Sequence, residues 1–305
     1  MKALVTGASG FVGRHLVAYL RAAGDDVAVI DHAGADPVDV TDAGAVRRTL
    51  GVHRPDAVYH LAGVSHVGGS WDAPGRVFRV NAEGTLHVLH ACADAGVARV
   101  LVVGSADEYG AVDQRDLPLD EEAALRPLTP YGASKVAADF LALRAFLGEG
   151  LPTLRVRAFN HTGPGQSSRF VVPGLAHRIA AAERDGRSEI EVGALDTVRD
   201  FTDVRDVVRA YRLLVERGTA GEAYNVCSGR GFSVSEIAGL LIGLSDRELR
   251  VVVDPALVRP VEVPRLVGDP TKLRAATSWE PVVPFERTLA DVLGEARRRP
   301  AAGAG

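Results

Sequence analysis

The first thirteen residues constrain this chain most. An apolar, partly β-branched run, K-A-L-V-T (2–6), leads directly into T-G-A-S-G-F-V-G (6–13) and then into an amphipathic stretch over 12–23. The spacing of Gly7, Gly10 and Gly13 suits a strand-to-helix turn. The first glycine permits the bend, the second lets a phosphate approach the backbone, and the third lets the helix pack closely on the strand. The helix amino terminus would offer free N–H groups to a pyrophosphate, with Phe11 and Val12 lining the same turn. A glycine turn can also bind nothing. Here the context favours a dinucleotide: an acidic residue, Asp31, closes the next strand eighteen residues past Gly13.

The rest of the first half repeats the alternation. Short β-branched runs at 26–31, 57–62, 99–103 and 153–157 are separated by amphipathic stretches at 42–50, 80–96 and 131–147. Strands alternating with helices predict an α/β fold, a Rossmann-type doubly wound parallel sheet. After residue 158 glycine, proline and arginine cluster at 160–174, and the later elements read as short and irregular. The expected division is a dinucleotide-binding domain over 1–158, rejoined by 202–227. A smaller C-terminal α/β substrate-binding lobe would comprise 159–201 and 228–305. The tail 297–305 is expected to fray.

A chain of 305 residues holds one large domain or two ordinary ones. With 35 basic and 39 acidic residues the net charge is −4, which gives no electrostatic reason to expect nucleic acid. Two cysteines, Cys92 and Cys227, make no disulfide framework. No apolar run approaches the length of a membrane span, and Met1 leads straight into a strand without a signal peptide. A cytoplasmic protein is expected, and no metal.

Asp31 would accept the adenosine ribose hydroxyls, and its charge would repel a 2′-phosphate. His32, Ala33 and Gly34 supply no Arg or Lys to offset that, so NAD(H) is favoured over NADP(H), although Arg14 could reach a phosphate. Asp39, at the end of a third strand, either meets the adenine beside Val40 or caps a helix starting near Thr41. Leu61, Ala62 and Gly63 end the fourth strand beside the cofactor, with His60 packed behind them. Trp71 reads as a packing residue.

Y-G-A-S-K (131–135) starts a helix after Pro130, so Tyr131 and Lys135 share one helical face. A phenol is a poor acid–base at neutral pH, and a lysine charge with an oxidised nicotinamide would favour the phenolate. Lys135 can also hold the nicotinamide ribose.

With the glycine turn, this tyrosine–lysine pair and a hydroxyl at a strand end, Ser105, the chain resembles the extended short-chain dehydrogenase/reductase family over nearly its whole length. In that family the hydroxyl residue four places before the tyrosine of the Tyr-Gly pair assists catalysis; counted back from Tyr109, that is Ser105. R-A-F-N-H-T-G-P-G-Q (157–166), F-V-V-P (170–173), R-D-F-T-D-V-R-D-V-V-R-A-Y (199–211) and Y-N-V-C-S-G (224–229) resemble the nucleotide-sugar branch. They are most similar to reductases of GDP-4-keto-6-deoxy-mannose, then to GDP-mannose 4,6-dehydratases. The resemblance implies a homodimer, with helices near 80–96 and 131–147 forming a four-helix bundle, unless their apolar faces meet only their own sheet. It also implies a nucleotide-sugar substrate, GDP-linked, with Ser65 and Val171 beside it. Asn160 suits sugar hydroxyls or a carbonyl, and Arg199 and Arg259 suit a diphosphate, although either arginine could be a surface pair. His161 either meets substrate or packs the loop.

G-S-A-D-E-Y-G (104–110) bears on the reaction. A 4,6-dehydratase needs a base for C5. Similar dehydratases carry glutamate where this chain has Asp107, and the glucose-type enzymes carry an acid where it has Ala106. Glu108 is one place late, which on a strand would turn it to the other face. A ketone reductase needs only Tyr131 and Ser105 beside a hydride donor. The short connection from Asp31 to Asp39 also departs from the dehydratases. Reduction of the C4 ketone is therefore expected, with Asp107 and Glu108 shaping the substrate pocket. Dehydration with Asp107 as base, epimerisation, or a non-catalytic dinucleotide sensor are the alternatives.

Overall fold

The computed structural model describes residues 1–33, 37–65, 67–257 and 263–298. Its first half contains β1 (Lys2–Thr6), α1 (Phe11–Ala22), β2 (Asp26–Ile30), α2 (Ala43–His53), β3 (Ala57–His60), α3 (Pro74–Phe78), α4 (Gly84–Ala95), β4 (Arg99–Val103), α5 (Pro130–Glu149) and β5 (Thr153–Ala158). The second half contains β6 (Asn160–Thr162), α6 (Val171–Asp185), β7 (Glu189–Val192), β8 (Val198–Asp203), α7 (Val204–Arg217), β9 (Ala223–Val226), β10 (Gly231–Ser233), α8 (Val234–Ile242), β11 (Arg250–Val253), β12 (Arg265–Leu266), α9 (Thr271–Thr277) and α10 (Phe285–Arg298).

Six strands form one sheet in the order β2-β1-β3-β4-β5-β9, and every pairing is parallel. The runs that form β1, β3, β4 and β5 are largely buried on both sides, as a doubly covered parallel sheet requires, while the edge strand β2 buries only Ile30 and leaves Val29 45% exposed. Leu16, Leu20, Val207, Tyr211 and Leu214 of α1 and α7 cover one face with Tyr59 and Leu101. Val46, Leu50, Val88, Leu89 and Ala142 of α2, α4 and α5 cover the other with Leu4 and Val58. From β1 the chain crosses to β2 on one side, while β3 lies on the other. The carboxyl ends of β1 and β3 therefore flank a crevice, the place where such sheets bind ligands.

A second core gathers α6, α8 and α10 against β7, β8 and β10, through Leu175, Ile179, Phe201, Ile237 and Leu289. These helices correct the expectation of short, irregular elements: α6 has 15 residues and α10 has 14. The glycine- and proline-rich entrance at 160–174 masked the periodicity of α6. Nor does the tail fray at 297, because Arg297 is held by Glu183 at 2.6 Å and continues α10.

Three further expectations change. The helix read at 80–96 begins earlier, at Pro74, and carries a π-turn at residues 79–83 between α3 and α4. Asp39 ends no strand; it lies in a non-strand segment where it accepts hydrogen bonds from the Thr41 amide (2.8 Å) and hydroxyl (2.9 Å). The cap of α2 is Asp42, which accepts from the Ala45 amide. Trp71 is 56% exposed rather than packed.

Candidate active site

A cleft of about 800 Å³ opens along the carboxyl ends of β1, β2, β3, β4 and β5 and continues under α6 and β8. Its floor begins at the glycine turn. Gly7 has φ +71°, and a Cβ there would lie 2.8 Å from the Ala62 amide; a Cβ on Gly13 would lie 2.8 Å from the Ala8 Cα. Gly10 starts α1 without a side-chain cap, so the first-turn amides remain available to an anion. The cradle that a Cβ would fill, with its uncapped helix, fits a dinucleotide pyrophosphate. Phe11, Val12, Val40, Leu61, Ala62 and Gly63 line the same cleft.

Asp31 lies in the cleft just past β2. Burial works against its charge, but hydrogen bonds from the Ser9 amide (2.7 Å) and the Ala33 amide (3.2 Å) outweigh it and hold the carboxyl below its ordinary range. Arg14 turns elsewhere, donating to the carbonyls of Ser9 and Gly165.

Sequence reasoning missed the support beneath this loop. Thr85 donates to the Asn81 carbonyl (2.6 Å), so its oxygen accepts from His60 Nε2 (2.9 Å). His60 Nδ1 then accepts from Thr6 (2.7 Å), whose oxygen in turn accepts the Leu61 and Ala62 amides. Burial drives His60 down to about 3, so it stays neutral and this direction holds. Asn81 sits in the π-turn, accepts from the Val64 amide (2.7 Å) and donates to Val64 O and to Ser134 Oγ (2.9 Å). A buried asparagine in a helical stretch was the available signal, because its amide competes with regular helix bonding.

On the opposite wall, Thr129 caps α5 by accepting from the Gly132 amide (3.0 Å), and Pro130 occupies the first turn. This fixes Tyr131, whose carbonyl accepts from Ser134 Oγ at 2.7 Å. Tyr131, Lys135 and Ser105 all line the cleft. Burial and the Asp107 charge push the Tyr131 hydroxyl up, while a hydrogen bond with Ser105 works to lower it. Lys135 Nζ donates to the Val103 carbonyl (2.8 Å). Burial lowers Lys135 to about 8, against the opposing pull of Glu108.

Of the residues expected at the substrate, Ser65, Asp107, Asn160, His161, Val171 and Arg199 line the cleft. His161 Nδ1 is bonded to the Phe159 carbonyl (2.9 Å), and its ring stacks on Phe11 at 6.2 Å. Arg259 lies outside the described residues. Glu108 is corrected: it is fully buried and absent from the cleft wall. Residues 106–108 form a 3₁₀ turn, not a strand, and the turn directs Glu108 inward to the Ser105 amide. Arg76, Arg169 and Arg178 line the cleft and were not anticipated. Among the described residues, no group of His, Cys, Asp and Glu is placed to hold a metal ion, and no helix is long and apolar enough to cross a membrane.

The parallel sheet, the glycine turn and the tyrosine–lysine helix facing one crevice are those of an extended short-chain dehydrogenase/reductase of the nucleotide-sugar branch, which uses an NAD(P) dinucleotide. The chain belongs to the GDP-mannose 4,6 dehydratase family, whose model matches residues 4–292. It is 39% identical to the GDP-6-deoxy-D-mannose reductase of Pseudomonas aeruginosa, covering 95% of each chain. It is 32% identical to a GDP-6-deoxy-D-talose 4-dehydrogenase of Aggregatibacter actinomycetemcomitans, covering 90% of each. The structure of an RMD from P. aeruginosa complexed with NADPH superposes with a TM-score of 0.89 at 37% identity, covering 97% of this chain and 99% of that one.

Proposed function

We propose that this protein reduces the C4 ketone of a nucleotide-activated 4-keto-6-deoxy sugar, GDP-4-keto-6-deoxy-mannose to GDP-rhamnose. One observation carries the reading: Ser105, Tyr131 and Lys135 meet on the cleft that also contains the glycine turn. The 39% identical P. aeruginosa reductase supports the substrate class.

In this reading the glycine turn and Asp31 hold the dinucleotide, and NAD(P)H supplies a hydride for C4. Ser105 donates a hydrogen bond to the ketone oxygen. Tyr131, kept neutral by burial, gives that oxygen its proton. Lys135 holds the nicotinamide ribose. Asn160 meets sugar hydroxyls, and Arg169, Arg178 and Arg199 supply positive charge for the diphosphate at the lobe end. The lobe made of 159–201 and 228–305 thereby carries the nucleotide sugar, and the Rossmann part carries the cofactor. The ionised Asp31 favours NAD(H) over NADP(H).

A second reading keeps Asp107 as the base of a 4,6-dehydratase, because it lines the cleft and the family includes dehydratases. Ala106 beside it offers no acid for the leaving water. Incubation with NADH and GDP-4-keto-6-deoxy-mannose should oxidise the cofactor stoichiometrically with product. Tyr131→Phe should retain cofactor binding and lose at least about 10²-fold in turnover. Loss of one water from GDP-mannose, read by mass spectrometry, would transfer the assignment to the dehydratase.

The same reading makes the protein a homodimer through α4 and α5, and cytoplasmic, where the buried free thiols of Cys92 and Cys227 stay reduced.

A further inference from the structure

We propose that Arg157 is a positioning residue: its guanidinium ties the loop that carries Ser105 to the helix that carries Tyr131 and Lys135, and so sets the spacing of the two groups that act on the ketone oxygen. The inference rests on the reductase reading. Ser105 and Tyr131 come from different segments, the turn after β4 and the first turn of α5. Arg157 stands between those segments, near the end of β5 and three residues before Asn160, with only 5% of its surface exposed.

Toward the loop, Arg157 Nη1 donates to the Tyr109 hydroxyl (3.2 Å) and to the Glu121 carbonyl (2.8 Å). The guanidinium carbon lies 5.3 Å from the centroid of the Tyr109 ring, and Glu108 Oε2 lies 3.6 Å from Nε. Tyr109 is fully buried four residues past Ser105, and its hydroxyl donates to Asn225 Oδ1 at 2.7 Å. Asn225 is the register partner of Arg157 on β9. It donates through Nδ2 to the Leu119 carbonyl (2.9 Å) and through its amide to Glu121 Oε1 (2.7 Å). The loop that starts at Ser105 is therefore held to β5 and β9 at 109 and again at 119–121.

Toward the helix, Arg157 Nε donates to Asp139 Oδ2 (3.3 Å), while Asp139 Oδ1 accepts from Arg155 Nη1 (2.7 Å). Asp139 follows Tyr131 by eight residues and Lys135 by four, so the three lie along one face of α5, and all three are buried. The carboxylate held by β5 thus fixes how that face is turned. A buried ion cluster adds little net stability over apolar residues of the same shape, but its bonds are directional. A planar fork with five N–H groups can reach two segments at once, and a lysine ammonium on its single stem cannot.

Arg157→Lys keeps the buried positive charge and breaks the link. It should lower kcat at least about tenfold, while KM for the keto sugar and NADH affinity by fluorescence titration stay within about twofold. The chain has six tyrosines, so protein labelled with 3-fluorotyrosine gives six ¹⁹F signals, and the signal of Tyr131 is the one lost in Tyr131→Phe. In Arg157→Lys that signal should shift or broaden, while the signal of Tyr19 on α1 keeps its place. Tyr109→Phe removes only the hydroxyl and leaves Arg157 bonded to the Glu121 carbonyl; a smaller shift of the Tyr131 signal and a smaller fall in kcat are expected. A folded Arg157→Lys protein with wild-type kcat, or with its Tyr131 signal at the wild-type position, would overturn the proposal and leave Arg157 a merely structural residue. Should Arg157→Lys not fold, the same two measurements on Tyr109→Phe decide. The fluorine spectra need no substrate, so they test the link even if the reductase assignment fails; absence of wild-type turnover would count against that assignment alone.

Discussion

In the proposed reading, Asp31 is the residue that sets cofactor choice. It sits at the carboxyl end of β2 with both oxygens engaged by backbone amides, so it is ionised wherever the protein works. A unit charge ~8 Å from a 2′-phosphate costs about 2 kcal/mol at an effective dielectric of ~20. Solvent screening at the mouth of the cleft trims this. Asp31→Ser should therefore raise the NADPH-to-NADH ratio of kcat/KM by about tenfold, measured by cofactor oxidation at fixed sugar. An unchanged ratio would locate discrimination elsewhere; Arg76, which lines the cleft near Asp39, is the next group to test. The comparison is pointed because the superposable P. aeruginosa structure is complexed with NADPH.

At the scale of the element, the glycine turn works by what it lacks. A methyl at position 13 meets the Ala8 Cα at 2.8 Å, backbone that has no rotamer to yield. Gly13→Ala should cost about 1–3 kcal/mol in urea unfolding. It should also weaken NADH binding in fluorescence titration, because the strain falls on the loop that cradles the pyrophosphate. This turn was readable from sequence because its chemistry is local: three glycines, a strand before and a helix after. So was the Tyr131–Lys135 face, which helical spacing alone fixes. The fate of Glu108 was not readable. Reading 104–110 as strand-like gave it the wrong geometry, and only the packing of β5 and α5 around a 3₁₀ turn shows why the carboxyl turns inward. Asn81 was missed likewise: its partners, Val64 and Ser134, lie 17 and 53 residues away. Asp39 failed for the opposite reason, since D-V-T-D imitates a strand end while being a turn closed by Thr41.

At the scale of the whole molecule, α5 leaves an apolar side exposed among the described residues. α5 buries Ala142 and Ala145 against its own sheet. Its other side carries Ala133, Val136, Ala137, Phe140 and Leu147 at helical spacing, with Phe140 54% and Leu147 73% exposed. A helix apolar on two sides is one that expects a second partner. Trp71 and Phe78, at 56% and 40% exposure, add to the exposed apolar inventory at the start of the helical segment that precedes α4. Pairing of this face with its copy would bury the exposed α5 side chains and set α4 and α5 of two subunits side by side, an isologous contact of the kind homodimers use. Phe140→Glu places a charge where a carboxylate from each subunit would meet near the symmetry axis. In the proposed dimer it should convert dimer to monomer in sedimentation at micromolar concentration while leaving far-ultraviolet circular dichroism unchanged. Because Tyr131 and Lys135 lie at the start of the same helix, the monomer should also turn over more slowly at unaltered cofactor affinity. A wild-type protein that sediments as a monomer would dismiss the interface, and a Phe140→Glu protein that remains dimeric would move it off α5.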